Sequence, residues 1–146
     1  ITSQPQAVKD SMIGWFNARQ DGVTQARNEI GETGVRVMCA AEVNAVSALP
    51  TREHIIDVVI PYTHMDLYSY SNYEAFTSSQ LKTDLNHITS KAPNDTRYGF
   101  GNKNVYLGEF GCAENSDLGR QVCTDRMKTI IDTSLNWRVQ YFWGLQ

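Results

Sequence analysis

The apolar residues Val8, Met12, Trp15, Phe16, Val23, Ala26 and Ile30 recur at helical spacing. This pattern lines up one face of a helix. It predicts a long amphipathic helix over residues 8–30, buried along that face and stopped by Gly31 and Gly34. The run Val35-Arg36-Val37-Met38-Cys39-Ala40-Ala41 is apolar except for Arg36, as expected of a short strand over residues 35–42 that is covered on both faces. Residues 51–60 include the strand-like run Ile55-Ile56-Asp57-Val58-Val59-Ile60. Pro50 and Thr51 make a helix start and Pro61 a stop, however, and a parallel crossover needs a connection here, so the segment reads as a helix. Residues 65–71 form a second, aromatic-rich strand, and Leu81, Leu85 and Ile88 mark the next helix. After a loop rich in Gly, Pro, Asn and Asp, residues 104–110 make a third strand. Val122, Met127, Ile130, Ile131 and Leu135 outline a last helix, and residues 138–144 a fourth strand.

The pattern is therefore α/β, with strand centres near Cys39, Tyr68, Leu107 and Tyr141. The repeat of roughly thirty to forty residues is close to that of an eightfold barrel of about 250 residues. The predicted fold is half of a (β/α)8 TIM barrel, four parallel strands alternating with helices in one domain over residues 1–146. An open doubly wound sheet fits the same alternation. Nucleotide binding loses support, because Gly99-x-Gly101 precedes a strand instead of following one.

Composition narrows the partners. The net charge of −3 is spread without a basic stripe, which argues against a nucleic-acid or anionic-membrane partner. No apolar run approaches the roughly 20 residues needed to span a bilayer, so a soluble protein is expected, either cytoplasmic or secreted. The N-terminus, Ile1-Thr2-Ser3-Gln4-Pro5, has neither part of a signal peptide and no initiator methionine. The chain is then a mature product or a piece of something longer. Cys39 reads as a buried small hydrophobe, and Cys112 and Cys123 are near enough to close a short loop if the protein is secreted. His54, His64 and His87 lack metal-ligand spacing, so neither a metal nor a cofactor is expected.

In parallel α/β folds of this kind, chemistry sits at the C-terminal ends of strands. Strand one ends in Glu42-Val43-Asn44, strand two carries Asp66, Tyr68, Tyr70 and Tyr73, strand three ends in Glu109, and strand four in Trp143. Each also has a plain structural reading. Glu109 can pair with Arg97 or Lys103, a polar strand end such as Glu42 or Asn44 can cap the next loop, and the tyrosines can pack between helix and sheet. Trp15 and Trp137 lie on helix faces and read as core.

A resemblance gives these ends a specific meaning. Leu107-Gly108-Glu109-Phe110-Gly111 resembles the seventh strand of clan A glycoside hydrolases, the barrel superfamily of cellulases, mannanases, xylanases and many β-glycosidases. Tyr141-Phe142-Trp143-Gly144-Leu145-Gln146 is similar to their eighth strand, and Ser71-Asn72-Tyr73 stands where many members have His-x-Tyr after strand six, with serine in place of histidine. The resemblance covers nearly the whole chain, and it is carried by the order and spacing of short motifs. It implies that Glu109 is the nucleophile, that Tyr73 hydrogen-bonds it, and that Trp143 is the floor under the sugar. Glu42 would lie on the fifth strand.

A retaining glycosidase needs two carboxylates about 5–5.5 Å apart and an aromatic platform for the sugar. In the family the acid/base is a glutamate after asparagine on strand four, which would precede this chain; Asn28-Glu29 falls in the predicted long helix. Counting the Cys39 strand as strand four would instead make Glu42 the acid/base, with Ala41 in place of the asparagine. A half-barrel also needs completion, by the rest of a longer hydrolase or by a second copy in a twofold homodimer. Three readings follow: a glycoside hydrolase part that uses Glu109, an inactive carbohydrate-binding derivative, and an unrelated small α/β protein. Asn44, Asp66, Tyr68, Tyr70, Tyr73 and Trp143 are the candidate sugar contacts.

Overall fold

The computed structural model describes residues 4–31, 37–44, 55–93, 105–111 and 119–136. In chain order these form α1 (Gln6–Ile30), β1 (Ala40–Asn44), α2 (Ile55–Val58), a 3₁₀ turn (Ile60–Tyr62), β2 (Leu67–Asn72), α3 (Ser78–Lys91), β3 (Val105–Phe110) and α4 (Arg120–Asn136). The fold is α/β, with an open, wholly parallel sheet in the order β1-β2-β3. Consecutive strands are neighbours throughout, so each crossover moves one place in the same direction. With right-handed crossovers, that order carries α2 and α3 to the same face of the sheet. The fourth strand, predicted at 138–144, lies outside the described residues.

The face turned to the helices holds the core. Ala41 and Val43 of β1, Tyr68 and Tyr70 of β2, and Val105, Leu107 and Phe110 of β3 join Ile56, Ile60, Leu81, Leu85, Ile88 and Ile130 in one buried cluster. The alternation of a strand explains why these positions share a face, except Phe110, which a register shift in β3 brings to it. Leu81, Leu85 and Ile88 are fully buried, as their spacing predicts. A Thr77 capping box opens α3: Gln80 N donates to Thr77 Oγ1 (3.2 Å) and Thr77 N donates to Gln80 Oε1 (3.3 Å). Thr77→Ala should cost about 1 kcal/mol, read as a lower urea midpoint with an unchanged slope.

Three expectations are corrected. Strand one is Ala40–Asn44, without residues 37–39 of the predicted 35–42, whose first two residues lie outside the described set; Glu42 and Asn44 thus lie within it and Cys39, half-buried, precedes it. The segment predicted as a helix over 51–60 is one short helical turn, Ile55–Val58, followed by the 3₁₀ turn, because Pro61 ends regular helix there; residues 51–54 lie outside the described set. The third concerns α1. Of the face expected to be buried, Phe16 packs partly buried against the core, but Val8, Trp15 and Ile30 are exposed, and the buried residues of the helix are Gln20 and Arg27.

The physical reason is the segment between the 3₁₀ turn and β2, whose main chain makes no sheet ladder and needs polar partners. α1 supplies them. Asn17 Nδ2 donates to Tyr62 O (3.3 Å), His64 N donates to Asn17 Oδ1 (3.0 Å), and Asp66 N donates to Gln20 Oε1 (2.7 Å). Arg27 spans the Asp66 carboxylate with bonds of 2.9 and 3.2 Å. Asn17, Gln20, Thr24 and Arg27 form a polar stripe at helical spacing, and this stripe docks. Gly31 ends the helix at φ 66°, a conformation favouring glycine.

Candidate functional site

The opposite sheet face carries the polar candidates, and an irregularity in β3 puts the main one there. Tyr68, Tyr70 and Asn72 pair with Val105, Leu107 and Phe110 on the helix side, while Ser69 and Ser71 pair with Tyr106 and Glu109 on the other. The register skips Gly108. Strict alternation would have sent Glu109 to the same side as Leu107, into the core; the bulge reverses the phase and delivers it to the open face. Gly108 is required for this close approach, because a Cβ built there would collide with Ser69 Oγ and lie 3.2 Å from Ser69 Cβ.

On that face, at the C-terminal end of the sheet, two carboxylates and a phenol gather. Tyr73 Oη donates to Glu109 Oε2 (3.1 Å), and Ser71 Oγ donates to Glu42 Oε1 (2.7 Å). Ser71 pairs with Glu109 in one direction and Asn44 in the other. It therefore stands between the two acidic strands, whose backbones are about 9–10 Å apart at ordinary strand spacing. Glu109 is half-buried and Glu42 exposed, over a floor of the buried Ser69, Ser71 and Gly108. Partial burial, the hydrogen bond to Glu109, and the charges of Glu109 and Glu42 together push the Tyr73 phenol above the usual tyrosine range. The group therefore stays a hydrogen-bond donor at neutral pH. The arrangement offers a half-buried carboxylate with a fixed donor, a second carboxylate nearby, and small side chains that leave room over the sheet.

The remaining candidates fall elsewhere. Asp66 precedes β2 at the N-terminal end of the sheet, the far end from Glu109, and is fully buried against Arg27. Tyr68 and Tyr70 are buried on the helix side: Tyr68 Oη shares a 3.0 Å bond with Thr63 Oγ1, and Tyr70 Oη donates to Asp84 Oδ2 (2.6 Å). These three are corrected from sugar contacts to fold-holding residues, since strand alternation and strand direction turn them away from the open end. Asn44 takes its place in β1 opposite Ser71. Trp143 lies outside the described residues, as do Arg97, Lys103 and Cys112. Cys123 is disulfide-bonded, and Cys39 is free, its thiol pushed up by burial and by the Asp66 charge against the pull of Arg19 and Arg27.

Among the described residues, no cluster of three or more His, Cys, Asp or Glu is placed to hold a metal ion. His64 pairs with Asp21 (2.8 Å), and His87 with Asp57 (3.0 Å). No described helix is long and apolar enough to cross a membrane. The residues missed from sequence are Gly108, whose role needs the strand pairing, and Asn72, whose amide faces the helices directly behind the site. Comparison of the chain with protein-family models, with curated proteins and with solved structures finds no match.

Proposed function

We propose that this chain acts on carbohydrate as part of a (β/α)8 barrel of the clan A glycoside hydrolase type, with Glu109 as nucleophile and Tyr73 as its hydrogen-bond donor. The observation carrying the reading is the Tyr73–Glu109 bond. The resemblance implies that contact between residues 36 positions apart in sequence, and nothing in the local sequence requires it. The stepwise order β1-β2-β3 fits a barrel, and it fits equally one half of a doubly wound sheet, whose strands also follow in order on each side of the switch point. Further strands, from a longer chain or from a second copy, complete the barrel in this proposal.

The chemistry follows from the two groups. One Glu109 oxygen attacks the anomeric carbon, the bond to the leaving oxygen breaks, and a glycosyl ester forms that water later hydrolyses. Tyr73 holds the other oxygen, fixing the carboxylate's rotamer. An ordinary alcohol leaving group must take a proton from an acid, which the family places on the strand before β1. Glu42 is the carboxylate this chain itself presents on the same face.

A leaving group that departs as an anion bypasses the acid. A panel of 2,4-dinitrophenyl 2-deoxy-2-fluoro glycosides should release dinitrophenolate and leave one glycosyl mass on the peptide containing Glu109. Glu109→Gln should take no label, and Tyr73→Phe should be labelled more slowly. Labelling that persists in Glu109→Gln would remove the nucleophile assignment. Oligosaccharide binding without any label would point instead to a binding-only derivative of the fold.

A further inference from the structure

Tyr73 is 40% exposed, so its bond to Glu109 competes with water and does not by itself hold the ring in place. Something else must aim it. The adjacent residue, Asn72, ends β2 fully buried on the helix side. Its side-chain amide takes both main-chain groups of Ala75: Ala75 N donates to Asn72 Oδ1 (2.9 Å), and Asn72 Nδ2 donates to Ala75 O (3.0 Å). The two bonds close a ring around Tyr73 and Glu74, the only residues between. This paired geometry also fixes which end of the amide is oxygen.

Behind Asn72 stands a second support. The Tyr70 hydroxyl donates to Asp84 Oδ2 at 2.6 Å and, more weakly, to Asn72 Oδ1 at 3.3 Å. Asp84 is buried on the same α3 face as Leu81, Leu85 and Ile88. The clamp is thus tied to the helix layer, while the residue it precedes is presented on the opposite face.

We infer that Asn72, backed by Tyr70 and Asp84, is a positioning residue that sets the Tyr73 phenol against Glu109. The inference rests on the proposed function for its catalytic meaning, but its geometry can be tested without hydrolysis. Besides partial burial, the groups acting on the phenol are Glu109 of β3 and Glu42 of β1. If the clamp sets their distance, loosening it should lower the phenol's titration as Glu109→Gln does.

The test is ¹³C NMR of the chain labelled at tyrosine Cζ, with the Tyr73 signal assigned by its loss in Tyr73→Phe. Titration of Tyr73 should lie above the ordinary tyrosine range in the unaltered chain and fall in Glu109→Gln. In Asn72→Ala, checked for folding by far-UV circular dichroism, it should fall to the Glu109→Gln position. In Tyr70→Phe, which keeps the ring and removes only the hydroxyl, it should fall part of the way. An unmoved Tyr73 titration in folded Asn72→Ala overturns the inference; if that variant does not fold, an unmoved titration in Tyr70→Phe does so. Absence of glycosyl label on Glu109 would instead sink the functional reading and leave the clamp standing.

Discussion

Asp66→Ala is expected to destabilise the protein by about 3–5 kcal/mol, the range for removing one partner of a buried ion pair. The Arg27 side chain is 5% exposed and the Asp66 side chain 0%, so the guanidinium left behind cannot recover its lost counter-charge from bulk water. Asp66 also accepts from Cys39 N (3.2 Å). The substitution therefore loosens α1, the entry to β1 and the entry to β2 together. A loss of that size is a large share of the 5–15 kcal/mol typical of a domain, and Asp66→Ala should be partly unfolded at 37 °C. Replacing both partners, as Arg27→Met with Asp66→Ala, should restore at least half of the loss, because the cost lies mainly in the stranded charge. Urea denaturation of the four chains of this cycle provides the check. A double variant as unstable as the sum of the singles would rule out the account.

The same pair sets an acid limit. Burial alone would raise the Asp66 carboxyl, but the Gln20 and Arg27 side chains, the Cys39 amide and the Arg27 charge outweigh it and hold the group below the ordinary aspartate range. A group depressed in the folded state stabilises fully above its unfolded value of about 3.9 and loses that contribution as pH falls through the folded value. Stability should thus decline below about pH 4. The decline should be shallower in Asp66→Asn, and a series of urea midpoints between neutral and acid pH reads the difference.

The elements that pack apolar residues against the core were legible, because periodicity reports burial directly. Leu81, Leu85 and Ile88 announce α3, and Val105 and Leu107 announce β3. The docking face of α1 was not legible by that rule. Its partner is main chain before β2 that makes no sheet ladder, so the docking stripe is polar, and Asn17, Gln20, Thr24 and Arg27 show the same helical spacing as the apolar residues that face solvent. Polar groups inside the core escaped for a related reason. Asp84 sits in the apolar stripe of α3, and only its bond to Tyr70 explains it. At the site, motif order placed Glu109 and Tyr73 at the open end, but strand alternation alone would have turned Glu109 inward. Phase depends on the bulge, a property of two paired strands, and no single-strand pattern contains it.

That dependence makes Gly108 the sharpest test of the site. Gly108→Ala should destabilise the protein by about 1–3 kcal/mol, as overpacking does, since the new methyl meets Ser69 Oγ across the β2–β3 ladder. Ser69 is buried, so turning its hydroxyl aside is not free, and the remaining 3.2 Å contact with Ser69 Cβ is relieved when the strands give by a few tenths of an ångström or the bulge moves. Either change shifts Glu109 relative to Ser71 and Tyr73. Folded Gly108→Ala should therefore also lose the raised titration of the Tyr73 phenol, and labelling of Glu109 by fluoroglycosides should slow. A compensating change separates the two effects. Ser69→Gly in the Gly108→Ala background removes the atoms that collide, and it should restore both the urea midpoint and the phenol titration. If it restores stability while Tyr73 still titrates as an ordinary tyrosine, then the bulge does not set the Glu109 geometry, and the account of how the strand presents its carboxylate is wrong.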